Sequence, residues 1–206
     1  MKTRSAAKAT YEDLMKVPEN LVAELIDGEL YAWPRPAGPH ARFSSALGMD
    51  IGTPYDRGRG GPGGWWILDE PELHLGENVL VPDLAGWRRE RMPEIPQDHR
   101  FVIEPDWVCE VISTATARVI RAKKTRIYAK CGLSWLWLVD PEQRTLEPLT
   151  LVDGFWTSRC AFTGNDVFRS DPFSEAEIDL ASIWGPTTEE FRVDIGARSG
   201  SVRLTP

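Results

Sequence analysis

Two short runs of almost exclusively apolar residues constrain the fold of this chain more than any other feature. The first is DWVCEVI (106–112) and the second is SWLWLVD (134–140). Strands without a polar face are buried on both sides of a sheet. The segment between the runs, ARVIRAKKTRIYAK, is compatible with a helix and is soon followed by Gly132, a typical helix C-cap. The pattern predicts two parallel strands joined by a right-handed helical crossover.

Asp-Gly pairs at 27–28 and 153–154 predict two β-hairpins, because both residues tolerate the positive φ that a tight turn requires. A third hairpin is predicted to join WWIL to NVLVPDLAGW through the turn-like HLGEN. Pro82 in the second arm indicates a bulge or an edge position. We therefore expect an α/β fold with a mixed central sheet, helices on both faces and hairpins at its edges.

Helices are predicted from about His40 to Ile51 and, at the end of the domain, from Ser174 to Trp184. The glycine-rich segment between them, at 56–64, has no GxxxxGK[ST] pattern. We therefore interpret it as a flexible loop and not as a phosphate-binding loop.

Composition places the chain among ordinary globular proteins. With 206 residues, 42% hydrophobic and 27% charged, it is too apolar for disorder and too mixed for a coiled coil. We expect a single domain over 1–185 and a loosely ordered tail over 186–206. The three cysteines lack CxxC spacing and are expected to be reduced core thiols of a cytoplasmic protein. The sequence shows neither an apolar run of ~18 residues nor a signal peptide, so membrane spanning and export are not expected.

The net charge of -7 excludes a protein that coats nucleic acid by bulk positive charge, because such binding depends on phosphate neutralisation. Any contact with nucleic acid must therefore be local.

Lys124 is the most informative residue of the predicted crossover. It lies on the apolar stripe of the helix, four residues after Ile120 and four before Tyr128. A lysine on a sheet-facing stripe loses hydration unless it reaches an edge or pairs with a carboxylate. Glu110, inside the preceding apolar strand, offers such a carboxylate. Asp83, in VPDLAG, is the natural third member.

Asp106 competes with Asp83 for this third place. Asp106 shares a strand face with Glu110 but lies about 13 Å away, since each residue advances ~3.3 Å. We therefore favour Asp83 and interpret Asp106 as a strand-entry turn residue. Two carboxylates at close range repel each other, which a hard cation such as Mg²⁺ relieves, with Mn²⁺ as a substitute. Such a pair beside a lysine suits phosphodiester hydrolysis by a metal-activated water.

The order of these residues resembles that of the PD-(D/E)XK superfamily of restriction-endonuclease-like folds. Asp83 lies in VPD, Glu110 in EVIS, and Lys124 and Tyr128 precede the WLWLVDP strand. More narrowly, the chain is similar to the domain-of-unknown-function 820 (Uma-type) family of small restriction endonucleases. The resemblance covers residues 11–184 and implies a restriction-endonuclease-like mixed central sheet flanked by helices.

The resemblance also implies roles by position. Asp83 and Glu110 resemble the metal ligands and Lys124 resembles the catalytic lysine. Glu24 resembles the additional acid that many members bring to the metal. In the superfamily the lysine usually stands two residues after the glutamate, where this chain has Ile112. The lysine is therefore expected on the next helix.

The chain departs from the family pattern in two places. Ser-Thr-Ala-Thr at 113–116 replaces Ser-Pro-Ser-Thr, and Ile120 stands where the family has an aspartate, four residues before the lysine. If that aspartate orients the lysine or binds metal, activity is weakened or lost here. If that aspartate only stabilises the start of the helix, its replacement has little effect on activity.

Substrate contacts are less determined by the sequence. The crossover carries a basic run without an acid, consisting of Arg118, Arg121, Lys123, Lys124, Arg126 and Lys130. Such a run is either a solvated helix face or a guide for a phosphate backbone, in which case Arg121 and Lys123 contact substrate. His40 is either a helix-start residue or a substrate contact. Among the tryptophans, for which core packing is the default, Trp65 and Trp66 are the pair considered for nucleotide contact.

Three hypotheses result. The first is a Mg²⁺-dependent endonuclease that cuts DNA in preference to RNA. A homodimer is compatible with this hypothesis, because two-fold symmetry suits cleavage of both strands of a duplex. The second is a catalytically reduced nucleic-acid-binding or regulatory module that keeps the fold, which Ile120 favours. The third is an interaction protein whose acids serve structure. Mg²⁺-dependent cleavage that is lost on mutation of Asp83 or Glu110 distinguishes the first from the others.

Overall fold

Short helices and strands alternate along residues 8–185, the range that the computed structural model describes. From the N-terminal side the first elements are α1 (Tyr11–Leu14), β1 (Leu21–Ile26), β2 (Glu29–Pro34), α2 (Gly38–Ile51), a π-helical turn (Gly52–Asp56), β3 (Trp65–Asp69), β4 (Glu72–Leu75), β5 (Asn78–Leu80), β6 (Leu84–Arg88), β7 (Arg100–Phe101) and β8 (Trp107–Val111). They are followed by α3 (Ala117–Val119), a second π-helical turn (Ile120–Lys124), α4 (Thr125–Lys130), β9 (Trp135–Asp140), β10 (Thr145–Val152), β11 (Phe155–Ser158), β12 (Phe162–Thr163), β13 (Val167–Phe168), β14 (Ile178–Asp179) and α5 (Leu180–Trp184). The tail predicted at 186–206 lies outside the described residues.

The two apolar runs form the parallel pair β8 and β9, as predicted. Every side chain of β8 is buried, and so are the four central ones of β9. The chain between them passes through α3, the second π-helical turn and α4, which together we call the crossover helix (117–130). The strand–helix–strand unit is therefore confirmed.

The central sheet has the strand order β11-β10-β9-β8-β6-β3, with β12 also paired to β10. It is mixed, because β8 and β9 are parallel whereas the other neighbours are antiparallel. A smaller sheet has the order β2-β1-β5-β4-β7. The expected α/β fold with a mixed central sheet is confirmed.

Both Asp-Gly hairpins form. Asp27 and Gly28 join β1 to β2 with φ of 54° and 78°, and Asp153 and Gly154 join β10 to β11 with φ of 51° and 81°. Positive φ at both central residues is the condition for the type I′ turn that matches strand twist.

The third predicted hairpin is right in pairing WWIL with the LAGW part of the second arm but wrong in its turn. The HLGEN turn joins β4 to β5 in the smaller sheet, whereas β3 pairs with β6 in the central sheet. Pro82 lies between β5 and β6, where the chain leaves one sheet for the other. A proline, which has no N–H for a ladder, is suited to this connection.

Two helix boundaries differ from the predictions. The α2 helix begins at Gly38, because Pro39 is accommodated in its first turn. The closing helix begins at Leu180 and not at Ser174, because the residues before it pair with β13 and the Asp179 side chain caps the helix by accepting from the N–H of Ala181. None of the described helices is long and apolar enough to cross a bilayer.

The central sheet is covered on both faces. One face packs against α2 and α5 through residues that include Phe43, Leu47, Trp107, Trp137 and Phe173. The other face packs against the crossover helix and the smaller sheet through residues that include Leu73, Trp87, Val108, Ile127 and Leu136. Glu110 shares the second face with Val108, because alternate residues of a strand point to the same side. The site therefore lies between the central sheet, the crossover helix and the first hairpin.

The cysteine prediction holds only in part. Cys109 is buried, Cys131 is half-buried and Cys160 is exposed, and all three are free thiols. Cys160 was expected in the core because its neighbours are apolar, but it follows β11, at an edge of the central sheet.

Candidate active site

Three charged side chains from distant parts of the chain meet in a buried ion cluster, defined here as Glu24, Glu110 and Lys124. The Nζ of Lys124 lies 2.7 Å from Oε1 of Glu24 and 2.7 Å from Oε1 of Glu110. It also donates to the carbonyl of Val81 at 3.4 Å. The three residues are 3%, 2% and 3% exposed. The ammonium thus has three acceptors for its three protons, which is how a buried charge becomes tolerable.

The backbone of the crossover helix sets the direction of Lys124. Lys124 is the last residue of the second π-helical turn, with Ile120 at its start. Insertion of such a turn widens a helix locally and is frequent at functional sites. Ile120, Lys124, Ile127 and Tyr128 are all buried, so the stripe that the sequence predicted is present.

Both oxygens of Glu24 are engaged by donors from the protein. Oε1 accepts from the backbone N–H of Val81 at 2.8 Å and from Lys124, and Oε2 accepts from Nε1 of Trp33 at 3.0 Å. Glu24 therefore holds the Lys124 ammonium in place, and its predicted role as a further metal ligand stays a prediction.

Glu110 uses its two oxygens differently. Oε1 accepts from the hydroxyl of Tyr128 at 2.6 Å and from Lys124 at 2.7 Å. Within residues 8–185, Oε2 accepts no hydrogen bond, and Glu110 lines the adjoining cavity. One oxygen is therefore fixed, and the other is available to a ligand.

Burial raises the pKa of Glu110 to about 7. The attraction of Lys124 opposes this shift, whereas repulsion from Glu24 and Asp83 adds to it. Burial alone lowers the pKa of Lys124, but the charges of Glu110 and Glu24 outweigh it, so that this pKa is raised. Lys124 therefore stays protonated, whereas ionisation of Glu110 is made less favourable.

Asp83 lies beside the ion cluster and contacts His40. Extending the β6–β8 register by one residue, from Leu84 opposite Cys109, places Asp83 opposite Glu110. Its Oδ2 accepts from the N–H of Val111 at 2.6 Å, and its Oδ1 pairs with Nε2 of His40. The side chains of Asp83 and His40 are 12% and 17% exposed. The first turn of α2 thus brings His40 to the site.

A cavity of about 290 Å³ unites these groups. Its walls include five carboxylates against two permanent cations, together with one histidine. The charged lining residues are Glu24, Glu70, Asp83, Glu110 and Glu142, with Arg35 and Lys124 as the cations and His40 as the histidine. Such an excess of negative charge attracts cations.

The donor set fits a magnesium ion that is shared with a substrate. Among the described residues, no group of three histidine, cysteine or acidic side chains forms a complete metal cage. Asp83 and Glu110 nevertheless present two carboxylates to one cavity. Mg²⁺ is commonly held by one or two carboxylates, with waters and phosphate oxygens as its other ligands.

The predicted substrate contacts Arg121 and Lys123 do not line this cavity. The Nζ of Lys123 lies 2.6 Å from Glu29 and 2.7 Å from the hydroxyl of Tyr31. Arg121 lies 3.8 Å from Glu147. Both side chains are directed to acids of the protein itself.

The remaining sequence candidates lie outside the cavity. Asp106 accepts from the N–H of Arg88 at 2.9 Å and pairs with Arg91, in agreement with its interpretation as a strand-entry residue. Trp65 is buried in the core, and Trp66 lies under the guanidinium of Arg89 at 3.7 Å.

Sequence reasoning missed Trp33, which lines the cavity. A signal existed, because the turn at Asp27 and Gly28 fixes the hairpin register, with Val22 opposite Trp33 and Glu24 opposite Tyr31. Alternation then places all four side chains on one face.

A mixed sheet with an acid–lysine cluster between sheet and crossover helix defines a restriction-endonuclease-like protein. The model of the Uma2 family, described as "Putative restriction endonuclease", matches residues 9–181, and the chain belongs to this family. The fold is similar to the crystal structure of a putative nuclease belonging to DUF820 from Anabaena variabilis, with a TM-score of 0.68 and 22% identity over 85% of this chain and 97% of that one. No curated protein matches the chain.

Proposed function

We propose that this protein is a Mg²⁺-dependent endonuclease that hydrolyses phosphodiester bonds, with DNA as the preferred nucleic acid. One observation carries the proposal: the buried ammonium of Lys124 is held between two carboxylates at the wall of a cavity that Asp83 also lines. Strongly perturbed ionisable groups that converge in a cleft are typical of catalytic sites. Membership of the family supports the same reaction class.

Lys124 is suited to stabilise charge that develops on a phosphate oxygen. Two of its contacts, at 2.7 Å to Glu24 and Glu110, hold the ammonium in place. The third contact, at 3.4 Å to the carbonyl of Val81, is the weakest. The N–H that makes it is therefore the one that would donate a hydrogen bond to a substrate oxygen. A preorganised cation in a site that excludes water acts strongly on such a charge.

Asp83 and Glu110 are the residues that would hold the metal. When bound, Mg²⁺ polarises the phosphate and lowers the pKa of a coordinated water. Val111 and His40 fix the Asp83 carboxylate, and Tyr128 and Lys124 fix Glu110. Glu24 serves as the positioning residue for Lys124.

A second candidate is the catalytically reduced nucleic-acid-binding module. One observation favours it: Ile120, which stands where the family has an aspartate, is 3% exposed and lines the cavity. An apolar side chain there supplies neither a metal ligand nor a partner for Lys124. Absence of cleavage together with Mg²⁺ binding would favour this candidate.

Cleavage of labelled DNA in Mg²⁺ tests the proposal. We expect EDTA, Asp83→Asn and Glu110→Gln each to reduce the rate by about 10²-fold or more. Glu29→Gln, which neutralises an exposed acid of the β1–β2 hairpin, is the matched control and should leave the rate unchanged. Cleavage that persists in Asp83→Asn, or a wild type inactive in both Mg²⁺ and Mn²⁺, would overturn the proposal.

A further inference from the structure

The walls of the cavity are unlike a surface for a duplex backbone. Beyond the charged groups, its lining is mostly apolar and includes Val22, Trp33, Pro36, Ile112, Val119 and Ile120. Its volume of about 290 Å³ is near the lower end of the roughly 300–1,000 Å³ typical of small-molecule pockets. A duplex presents mainly phosphates and sugars to a protein, whereas a free base presents an apolar aromatic face.

Trp33 gives this cavity an aromatic wall of fixed orientation. Its Nε1 donates to Oε2 of Glu24 at 3.0 Å, which ties the indole directly to the ion cluster. Its ring also stacks on Tyr31, with centroids 5.6 Å apart and planes 18° from parallel. Aromatic side chains on which bases stack are characteristic of proteins that bind single strands.

Two cations of the crossover helix and one of the cavity wall are paired with acids of the protein itself. Lys123 pairs with Glu29 at 2.6 Å, Arg126 with Asp27 at 2.5 Å and Arg35 with Glu70 at 2.9 Å. Affinity for a duplex depends on the number of phosphates that lysines and arginines neutralise. The paired cations offer little for a long duplex footprint, whereas one unpaired nucleotide needs few phosphate contacts.

We propose that the cavity receives one unpaired nucleotide of a single-stranded DNA segment, with its base against Trp33 and the apolar wall and its phosphodiester beside Lys124. This inference rests on the proposed function for the reaction that follows binding. It names the substrate class of the same site as single-stranded DNA in preference to duplex.

The test measures binding and cleavage separately, on one labelled sequence in three forms: single-stranded, annealed to its complement, and single-stranded with abasic positions. Binding is followed by fluorescence anisotropy with Ca²⁺ in place of Mg²⁺. We expect the intact single strand to bind about tenfold more tightly than either of the other forms, as expected for the loss of one stacked base.

Two variants of Trp33 isolate the stacking contribution. Trp33→Leu and Trp33→Phe both remove the donor to Glu24, but only Trp33→Phe keeps an aromatic face. We expect Trp33→Leu to bind the single strand about tenfold more weakly than Trp33→Phe, and the two variants to bind the abasic strand equally. The comparison therefore does not depend on any damage to the ion cluster that both variants share.

The outcomes distinguish this inference from the proposed function. Duplex binding as tight as single-strand binding, no effect of the abasic positions, or equal affinities of Trp33→Leu and Trp33→Phe would each overturn the inference. A wild type that binds single strands in the expected pattern but cleaves none of them supports the inference and contradicts the proposed function. Metal-dependent cleavage of duplex without preference for single strands supports the proposed function and contradicts the inference.

Discussion

Lys123 and Lys124 are consecutive residues, and each pairs with a glutamate of the β1–β2 hairpin, yet their surroundings differ. Lys123 lies 2.6 Å from Glu29, and these side chains are 29% and 63% exposed. Lys124 lies 2.7 Å from Glu24, and these side chains are 3% and 4% exposed. The distances are nearly equal, so the environment decides what each pair contributes.

The comparison separates an exposed contact from a buried one for which we propose a role in catalysis. Exposed ion pairs contribute at most about 1 kcal/mol and are screened by salt. A buried pair costs desolvation energy that well-packed apolar residues would avoid. The Lys123 pair helps dock the hairpin on the crossover helix. Retention of the costly Lys124 pair beside a cavity agrees with a role in chemistry.

The largest difference is expected from removing each ammonium in turn. Lys124→Met leaves two buried carboxylates without a counter-ion and should lower the free energy of unfolding by about 3–5 kcal/mol. Lys123→Met should lower it by less than about 1 kcal/mol. Urea unfolding at pH 8 measures both values. Similar losses in the two variants would remove the distinction between the pairs.

A pH-dependent effect is expected from Glu110→Gln. The pKa of Glu110 is raised from 4.5 to about 7 in the folded protein, mainly by burial. The stability that Glu110 contributes is therefore greatest below pH 4.5 and is lost as the pH rises towards 7. Glu110→Gln, which stays neutral, should be more stable than the wild type at pH 8 in EDTA, by on the order of 3 kcal/mol.

The same difference should shrink towards zero at about pH 3.5, a unit below the unfolded-state pKa, where the wild-type carboxyl is mostly protonated in both states. Urea titrations at the two pH values, with Glu29→Gln as the exposed control, measure it. An advantage of Glu110→Gln that does not depend on pH would contradict the assignment.

Tyr128→Phe is expected to have an intermediate effect. It removes the hydroxyl that donates to Oε1 of Glu110 at 2.6 Å and should cost roughly 1–2 kcal/mol of stability. Tyr55→Phe, a buried tyrosine whose hydroxyl accepts from the N–H of Glu175, is the matched control. Both variants should lose comparable stability, but only Tyr128→Phe should alter the pH profile of cleavage. An unchanged profile would leave Tyr128 with a packing role alone.

The smallest effect is expected from the surface pair itself. A double-mutant cycle of Lys123→Met and Glu29→Gln should give a coupling free energy below about 1 kcal/mol, and added salt should reduce it further. Thermal or urea unfolding at low and high ionic strength measures the coupling. A larger value that does not respond to salt would show that the exposed pair behaves like the buried one.

Much of the fold could be predicted because single residues enforce local structure. The almost exclusively apolar runs define β8 and β9, and the Asp-Gly pairs define two hairpin turns. The insertion of the β4–β5 hairpin between β3 and β6 could not be predicted, since it places adjacent segments of one apolar stretch in two different sheets. Adjacent apolar runs look alike whichever sheet they join, and only tertiary packing separates them.

The sequence predicted which residues come together at the candidate site better than it predicted the contacts between them. A buried lysine that does not reach an edge needs a carboxylate partner, and Glu110 is the acid of the preceding apolar strand. That Glu24 holds the lysine with both of its oxygens occupied depends on the donors at Val81 and Trp33, which no spacing reveals. The pairing of Lys123 with Glu29 likewise depends on how the hairpin docks.

Calorimetric titration of Mg²⁺ into the purified protein tests the central claim most directly, since the claim places a divalent cation on Asp83 and Glu110. We expect saturable binding by the wild type and by the Glu29→Gln control, and loss of that binding in Asp83→Asn and in Glu110→Gln. Undiminished Mg²⁺ binding by Asp83→Asn and Glu110→Gln, or no binding by the wild type, would contradict the account.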